Sequence, residues 1–101
     1  MNIKNIQILS EAEADLEDGR FFYESQENGI GNYFWDSLIS DIESLVIYGG
    51  VHSKVYGYHR MTSKRFPYSI YYSIKADTAY VVAVLPERKN PTWAAQKLIK
   101  S

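Results

Sequence analysis

The sequence contains no cysteine, only two histidines and no long apolar run. Without cysteine, the chain has no disulfides, thiolate metal sites or cysteine nucleophiles, which agrees with a reducing compartment. His52 and His59 are too few for a histidine-based metal site, and the sequence has no glycine-rich phosphate loop and no acidic metal motif, so we predict no metal and no cofactor. No segment approaches the roughly 20 apolar residues that span a bilayer, and the N-terminus lacks the features of a signal peptide. We therefore expect a cytoplasmic protein.

Basic residues are scarce in the first half of the chain. Residues 1–50 contain two basic and ten acidic side chains, whereas residues 51–101 contain nine basic and two acidic ones, which gives net charges of −8 and +7. This asymmetry indicates either an anionic partner for the basic half or two halves that neutralise each other. The length of 101 residues fits one domain, residues 1–101, with one core.

The spacing of apolar residues predicts a strand and two helices in the acidic half. Residues 2–9 have the composition of a short strand. Ser10 and Glu13 have the spacing of a capping box, which predicts that a helix begins near Glu11. The segment Asn28-Gly29-Ile30-Gly31 predicts a turn, and a second helix is expected over residues 32–48. Its apolar face is formed by Phe34, Leu38, Ile42 and Leu45.

The basic half has the composition of strands. Residues 54–62 predict a strand in which Gly57 marks a turn or a bulge. Residues 69–74 and 79–85 predict an antiparallel hairpin, and the apolar run AYVVAVL is typical of a strand covered on both faces. We predict an α+β fold: an N-terminal strand, an antiparallel helical hairpin on a mainly antiparallel sheet of about four strands, and a short C-terminal helix or tail.

Cations alternate with aromatic residues in the second half, a combination that can bind phosphates and exposed bases. An acidic protein segment would also fit such a surface. Alternatively, the aromatic side chains belong to the core and the cations lie on loops and strand ends. The candidate target-binding or nucleic-acid-binding residues are Arg60, Lys64, Arg65, Tyr68, Arg88, Lys89 and Trp93.

Three segments together resemble the RelE/ParE superfamily of bacterial toxins from type II toxin–antitoxin pairs. They are EAEADLEDGRFFYESQENGIGNYFWDSLISDI, RMTSKRFPYSIYYSI and AYVVAVLPERKNPTW. The most specific part is F-P-Y-x-I-x-Y at residues 66–72, followed by a V-x-A-V strand and an Arg-Lys-x-Pro-x-Trp ending. The resemblance covers nearly the whole chain.

This resemblance implies a growth-inhibiting toxin of the kind linked to plasmid stabilisation. A cognate antitoxin would neutralise it by wrapping a C-terminal segment around it. The target would be DNA gyrase, as for ParE, or the ribosome with messenger RNA, as for the endoribonuclease RelE. A homodimer and a toxin–antitoxin hetero-oligomer both stay open.

Three positions depart from the ribonuclease pattern of the superfamily. Ser69 stands where that branch has an arginine for the scissile phosphate, and Pro86 stands where a histidine is often found. Trp93 stands near the position of a tyrosine or histidine that transfers a proton, which an indole cannot do at neutral pH. The candidate catalytic cations are Arg60, Arg65 and Arg88.

These departures favour a ParE-like toxin that acts by binding. The first alternative is a metal-independent, ribosome-dependent messenger-RNA endoribonuclease that uses the cations on phosphate. The second alternative is a non-toxic homologue that acts only as an antitoxin-binding module. Whether the protein is an enzyme is left open by its sequence.

Overall fold

The computed structural model describes residues 2–88 and 91–99. The strands are β1 (Asn5–Ile8), β2 (Lys54–Val55), β3 (Tyr58–Thr62), β4 (Tyr68–Lys75) and β5 (Thr78–Pro86). The helices are α1 (Ser10–Gln26), α2 (Ile30–Glu43), α3 (Leu45–Tyr48) and α4 (Pro91–Ile99). Within the described ranges, each helix is too short or too polar to cross a lipid bilayer.

The five strands form one sheet in the order β1-β5-β4-β3-β2. β1 is parallel to β5, and the other neighbours are antiparallel. This arrangement confirms the predicted α+β class and the hairpin of β4 with β5. The sheet has one strand more than the predicted number, because residues 54–62 form two strands. Tyr56 and Gly57 connect them with φ angles of 55° and 85°, a tight turn.

The acidic half forms the predicted helical hairpin. Gly29 precedes α2 with a φ of 91°, a left-handed conformation that glycine adopts without steric cost. The helix predicted over residues 32–48 is divided at Ser44, whose hydroxyl donates to the Asp41 carbonyl oxygen at 2.6 Å and competes with regular helical bonding. The predicted apolar face is buried: Phe34, Leu38, Ile42 and Leu45 are at most 2% exposed.

The predicted capping box at the start of α1 is wrong. The helix begins at Ser10, so Leu9 is the N-cap residue, and no side chain caps the helix. Leu9 stays extended because its N–H donates to the Val81 carbonyl oxygen at 3.0 Å, which continues the contact of β1 with β5. Sheet pairing therefore sets the helix start one residue before Glu11.

The two faces of the sheet carry separate cores. The first core lies between the sheet and the helical hairpin and includes Phe34, Tyr68 and Tyr72. The second core lies on the opposite face, where Tyr71 and Leu85 pack with Leu98 of α4. β5 is therefore covered on both faces, as its apolar sequence predicts. The face of the sheet opposite the helical hairpin is thus partly covered by α4.

A bulge in β5 decides which residues enter which core. Tyr71 pairs with Ala83 and Tyr72 pairs with Val81, so Val82 is an extra residue without its own partner on β4. Val81 and Val84 consequently lie in the first core, whereas Ala83 and Leu85 lie in the second.

Candidate functional site

Arg60 lies at a pocket of about 140 Å³ on the α4 face of the sheet. Arg60 comes from β3 and pairs with Tyr71 of β4, so the alternation of side chains places both on this face. The pocket is also lined by Ser69, Leu85, Glu87 and Ala94. One of the predicted cations thus stands beside a concave surface with apolar and polar walls.

Glu87 forms a partly exposed ion pair with Arg60 in this pocket. Its carboxylate Oε2 lies 3.8 Å from Nη2 of Arg60 and accepts a hydrogen bond of 3.0 Å from the Ser69 hydroxyl. Ser69, which replaces the arginine of the ribonuclease branch, is 3% exposed. The pocket therefore pairs its guanidinium with a carboxylate of the same chain. Sequence reasoning missed Glu87, although it is one of two acidic residues in the basic half and directly follows Pro86.

Three tyrosines of β4, whose hydroxyls could transfer a proton, are buried. Tyr68, Tyr71 and Tyr72 are 3%, 4% and 0% exposed. Burial raises the pKa of the Tyr71 hydroxyl, which Arg60 partly opposes, and burial likewise raises the pKa of Tyr68 and Tyr72. A phenol with a raised pKa is a poorer proton donor at neutral pH. The ring of Tyr68 packs edge-on against Phe34 at 4.9 Å between centroids, so it lies in the core and not at a base-stacking surface.

Arg88 lies on the other side of the sheet from Arg60. Its guanidinium carbon is 4.5 Å from the ring centroid of Phe22 on α1, a cation–π contact. Burial raises the pKa of Tyr68, and the charge of Arg88 together with a hydrogen bond to Arg88 partly opposes this increase. Arg88 is exposed and contacts Phe22 and Tyr68 on the hairpin side of the sheet, whereas Arg60 lies beside the second core. The structure does not bring these two candidate cations to one phosphate.

Lys64 and Arg65 are exposed on the loop between β3 and β4. Asp41 of α2 holds this loop: its Oδ2 accepts 2.6 Å and 3.3 Å hydrogen bonds from the Ser63 hydroxyl and the Lys64 N–H. Trp93 packs beside the second core, with Nζ of Lys97 at 5.6 Å from its ring centroid. Lys89, another predicted site residue, lies outside the described residues.

The two histidines contact Tyr72 in the first core. Nδ1 of His52 lies 2.5 Å from the Tyr72 hydroxyl, and the ring of His59 stacks on Tyr72 at 5.0 Å between centroids. Nδ1 of His59 donates to the His52 carbonyl oxygen at 2.6 Å. Burial and His59 lower the pKa of His52. Over residues 2–88 and 91–99, no three histidine, aspartate or glutamate side chains are arranged to hold a metal ion.

Comparison with solved structures finds a protein of similar fold. A chain from the chromosomal ParDE TA (toxin–antitoxin) system of P. aeruginosa superimposes with a TM-score of 0.74. The match covers 83% of this chain and 96% of that chain, at 16% sequence identity. The fold is RelE/ParE-like. This similarity confirms the resemblance seen in the sequence for the fold alone. A sequence identity of 16% does not by itself show a shared function.

No family model matches the chain. No curated protein sequence matches it either.

Proposed function

We propose that this protein is the toxin of a type II toxin–antitoxin pair and inhibits growth in a ParE-like manner, by binding a cytoplasmic target such as DNA gyrase. A cognate antitoxin would neutralise it. The fold that it shares with a chain of a ParDE system supports a toxin–antitoxin role.

The pairing of Arg60 with Glu87 is the observation that favours binding over RNA cleavage. Metal-free RNA cleavage needs cations that converge on one phosphate, a base and an acid. Here Arg60 forms an ion pair with Glu87, Arg88 packs on Phe22 of α1, and the tyrosine beside Arg60 is buried. Arg60 and Arg88 stay exposed, so both can form ion pairs with a partner without any bond being cleaved.

Induced expression in a bacterial host tests this proposal. Gyrase supercoiling and primer extension on ribosome-bound messenger RNA are measured in parallel. We expect growth arrest and inhibited supercoiling without cuts in the messages. Cuts within the ribosomal A site would contradict the gyrase target and support the endoribonuclease alternative. Normal growth with a stable, folded protein would support the non-toxic homologue.

Single variants show which face of the sheet contacts the target. Arg60→Ala and Arg88→Ala remove cations from opposite faces, and Lys75→Ala removes an exposed cation at the end of β4 as a matched control. We expect Arg60→Ala or Arg88→Ala to relieve growth arrest by at least about tenfold, the effect of losing one good charged contact. Lys75→Ala should stay toxic. A double Arg60→Ala, Arg88→Ala variant that is folded and fully toxic would exclude both cations from target binding.

A further inference from the structure

A second, larger cavity lies between α1 and α4. This cleft has a volume of about 510 Å³, and its α1 wall carries the carboxylates of Glu11, Asp15 and Asp18. Its floor is formed by Ala83 and Leu85 of β5, which are 5% and 2% exposed. The cleft therefore combines an anionic wall with an apolar floor, unlike the Arg60 pocket.

Asp15 is held in place at the edge of the sheet. Its Oδ2 accepts a 3.0 Å hydrogen bond from the Val84 N–H. β1 pairs with β5 only as far as Ile8 and Val81, so Val84 lies beyond the end of that pairing, and Asp15 takes the place of a neighbouring strand. A carboxylate has two oxygens with about four acceptor positions, so the same group can still accept from a ligand. The carboxylate is thus a preorganised acceptor.

The α4 wall of the cleft indicates that the cleft favours a cation. Trp93 and Lys97 of α4 line it, with Nζ of Lys97 at 5.6 Å from the Trp93 ring centroid. The charge of Lys97 also lowers the pKa of Asp15, against a larger increase from burial. The chain thus places one of its own cations between an aromatic ring and the carboxylates. Three carboxylates against one ammonium group leave the cleft with a net negative charge.

We propose that this cleft binds an arginine or lysine side chain of a partner polypeptide. The methylene stem would pack on Ala83, Leu85 and the Trp93 ring, and the cationic head would reach the carboxylates of α1. Long basic side chains have this combination of an apolar stem and a charged end. The inference is independent of the proposed function, because it uses neither Arg60 nor Arg88 and needs no toxicity.

A short peptide with one arginine tests the proposal. The probe is acetyl-Val-Arg-Val-amide, titrated into the ¹⁵N-labelled full-length chain at pH 7.5 and low salt, with NMR detection. The matched probe replaces arginine by citrulline, which has the same shape and no charge. We expect the arginine peptide to shift the amide signals of Ala14, Ala83 and Leu85 and the Trp93 indole signal. It should bind about tenfold more tightly than the citrulline peptide, as expected for hydrogen bonds between charged groups.

Variants of the cleft provide the controls. Asp15→Asn keeps an acceptor for Val84 but removes the charge, and should weaken binding of the arginine peptide about tenfold. Glu13→Gln removes an exposed carboxylate of α1 that does not line the cleft and should leave the affinity unchanged. Lys97→Gln removes the competing cation and should increase the affinity about twofold.

Several results would overturn the proposal. One is equal binding of the arginine and citrulline peptides to the wild-type chain, a comparison that needs no variant to fold. Another is an affinity of Asp15→Asn equal to that of Glu13→Gln. A third is putrescine binding as tightly as the arginine peptide, which would contradict a polypeptide as the ligand.

Discussion

Gly19 matters because it has no side chain. It lies within α1 where Phe34 of α2 packs against it, and an added Cβ would lie 2.4 Å from the Cζ atom of Phe34. The sequence indicates only that glycine weakens a helix at this position. Glycine is needed here because α1 and α2 approach each other closely at this position. The local sequence pattern does not show this approach.

Gly19→Ala should therefore lower the free energy of unfolding. Overpacking a core typically costs about 1–3 kcal/mol, and an approach of 2.4 Å favours the upper part of this range, which exceeds the roughly 1 kcal/mol that alanine gains over glycine in helix propensity. Urea unfolding measures the change, with Glu13→Ala on an exposed position of α1 as the control, expected within about 0.5 kcal/mol of the wild type. A Gly19→Ala variant as stable as the wild type would show that the two helices separate at little cost.

Asp15 should make stability depend on pH. Burial raises its pKa from 3.8 to about 6 in the folded state, so the folded state binds the proton more tightly than the unfolded state. The stabilisation from the protonated form is complete below the unfolded pKa and is lost as the pH rises through the folded pKa. Asp15→Asn does not titrate and should gain about 1 kcal/mol relative to the wild type between pH 4 and pH 7, after allowance for solvent screening of a partly exposed group.

Urea unfolding at several pH values tests this expectation. Asp15→Ala is the matched control, because it also lacks the charge but cannot accept the Val84 hydrogen bond. It should follow the same pH trend at lower stability. Wild-type and Asp15→Asn curves that run parallel from pH 4 to pH 7 would contradict the raised pKa.

At the scale of elements, the loop between β3 and β4 depends on α2. Asp41 is 6% exposed and accepts from the Ser63 hydroxyl, which is itself 6% exposed as a residue. Apolar periodicity predicts the helix that carries Asp41 and the strand that precedes Ser63. It does not predict their hydrogen bond, because the two residues are 22 positions apart in the sequence. It fixes the start of the loop that presents Lys64 and Arg65.

Asp41→Ala should destabilise the protein by about 1–3 kcal/mol, because it leaves a buried hydroxyl without its acceptor. Ser63→Ala should cost less. The double variant should be more stable than the sum of the two losses predicts, by about 0.5 kcal/mol or more, since the residues interact directly. Urea unfolding of the four proteins measures this coupling, and strictly additive losses would show that the hydrogen bond contributes nothing.

At the scale of the whole molecule, two cores share β4 and β5. Tyr72 of β4 lies in the first core and Tyr71 in the second. Unfolding of β4 or β5 would therefore disrupt both cores at once. Residues 1–101 are therefore expected to unfold as one cooperative domain.

Coincident transitions test this expectation. Far-ultraviolet circular dichroism follows mainly the helical hairpin, and tryptophan fluorescence reports Trp35 beside the first core and Trp93 beside the second. We expect the same urea midpoint from both probes. To separate the two tryptophans, the measurement is repeated with Trp35→Phe, which leaves Trp93 as the fluorescent reporter. Separate midpoints would show that α4 and the second core unfold on their own.

The fold separates the acidic and basic halves of the chain into different parts of the molecule. The acidic half forms the helical hairpin, and the basic half forms most of the sheet and α4. Among the described residues, two cations of the basic half lie on different sides of the sheet: Arg60 faces the second core and Arg88 faces α1. The fold also places part of the acidic half in the α1–α4 cleft instead of on the outer surface of the hairpin.

The sequence by itself determined the order of the elements, the α+β class and most of the buried residues. These follow from periods of 3.6 and 2 residues, which depend on near neighbours in the chain. Only the tertiary structure decided which residues that are distant in the sequence form hydrogen bonds with each other. Asp15 meets Val84 across 69 positions, and Glu87 meets Ser69 across 18. Such contacts depend on strand order, on the side of the sheet that each residue faces and on the bulge at Val82, none of which apolar periodicity records.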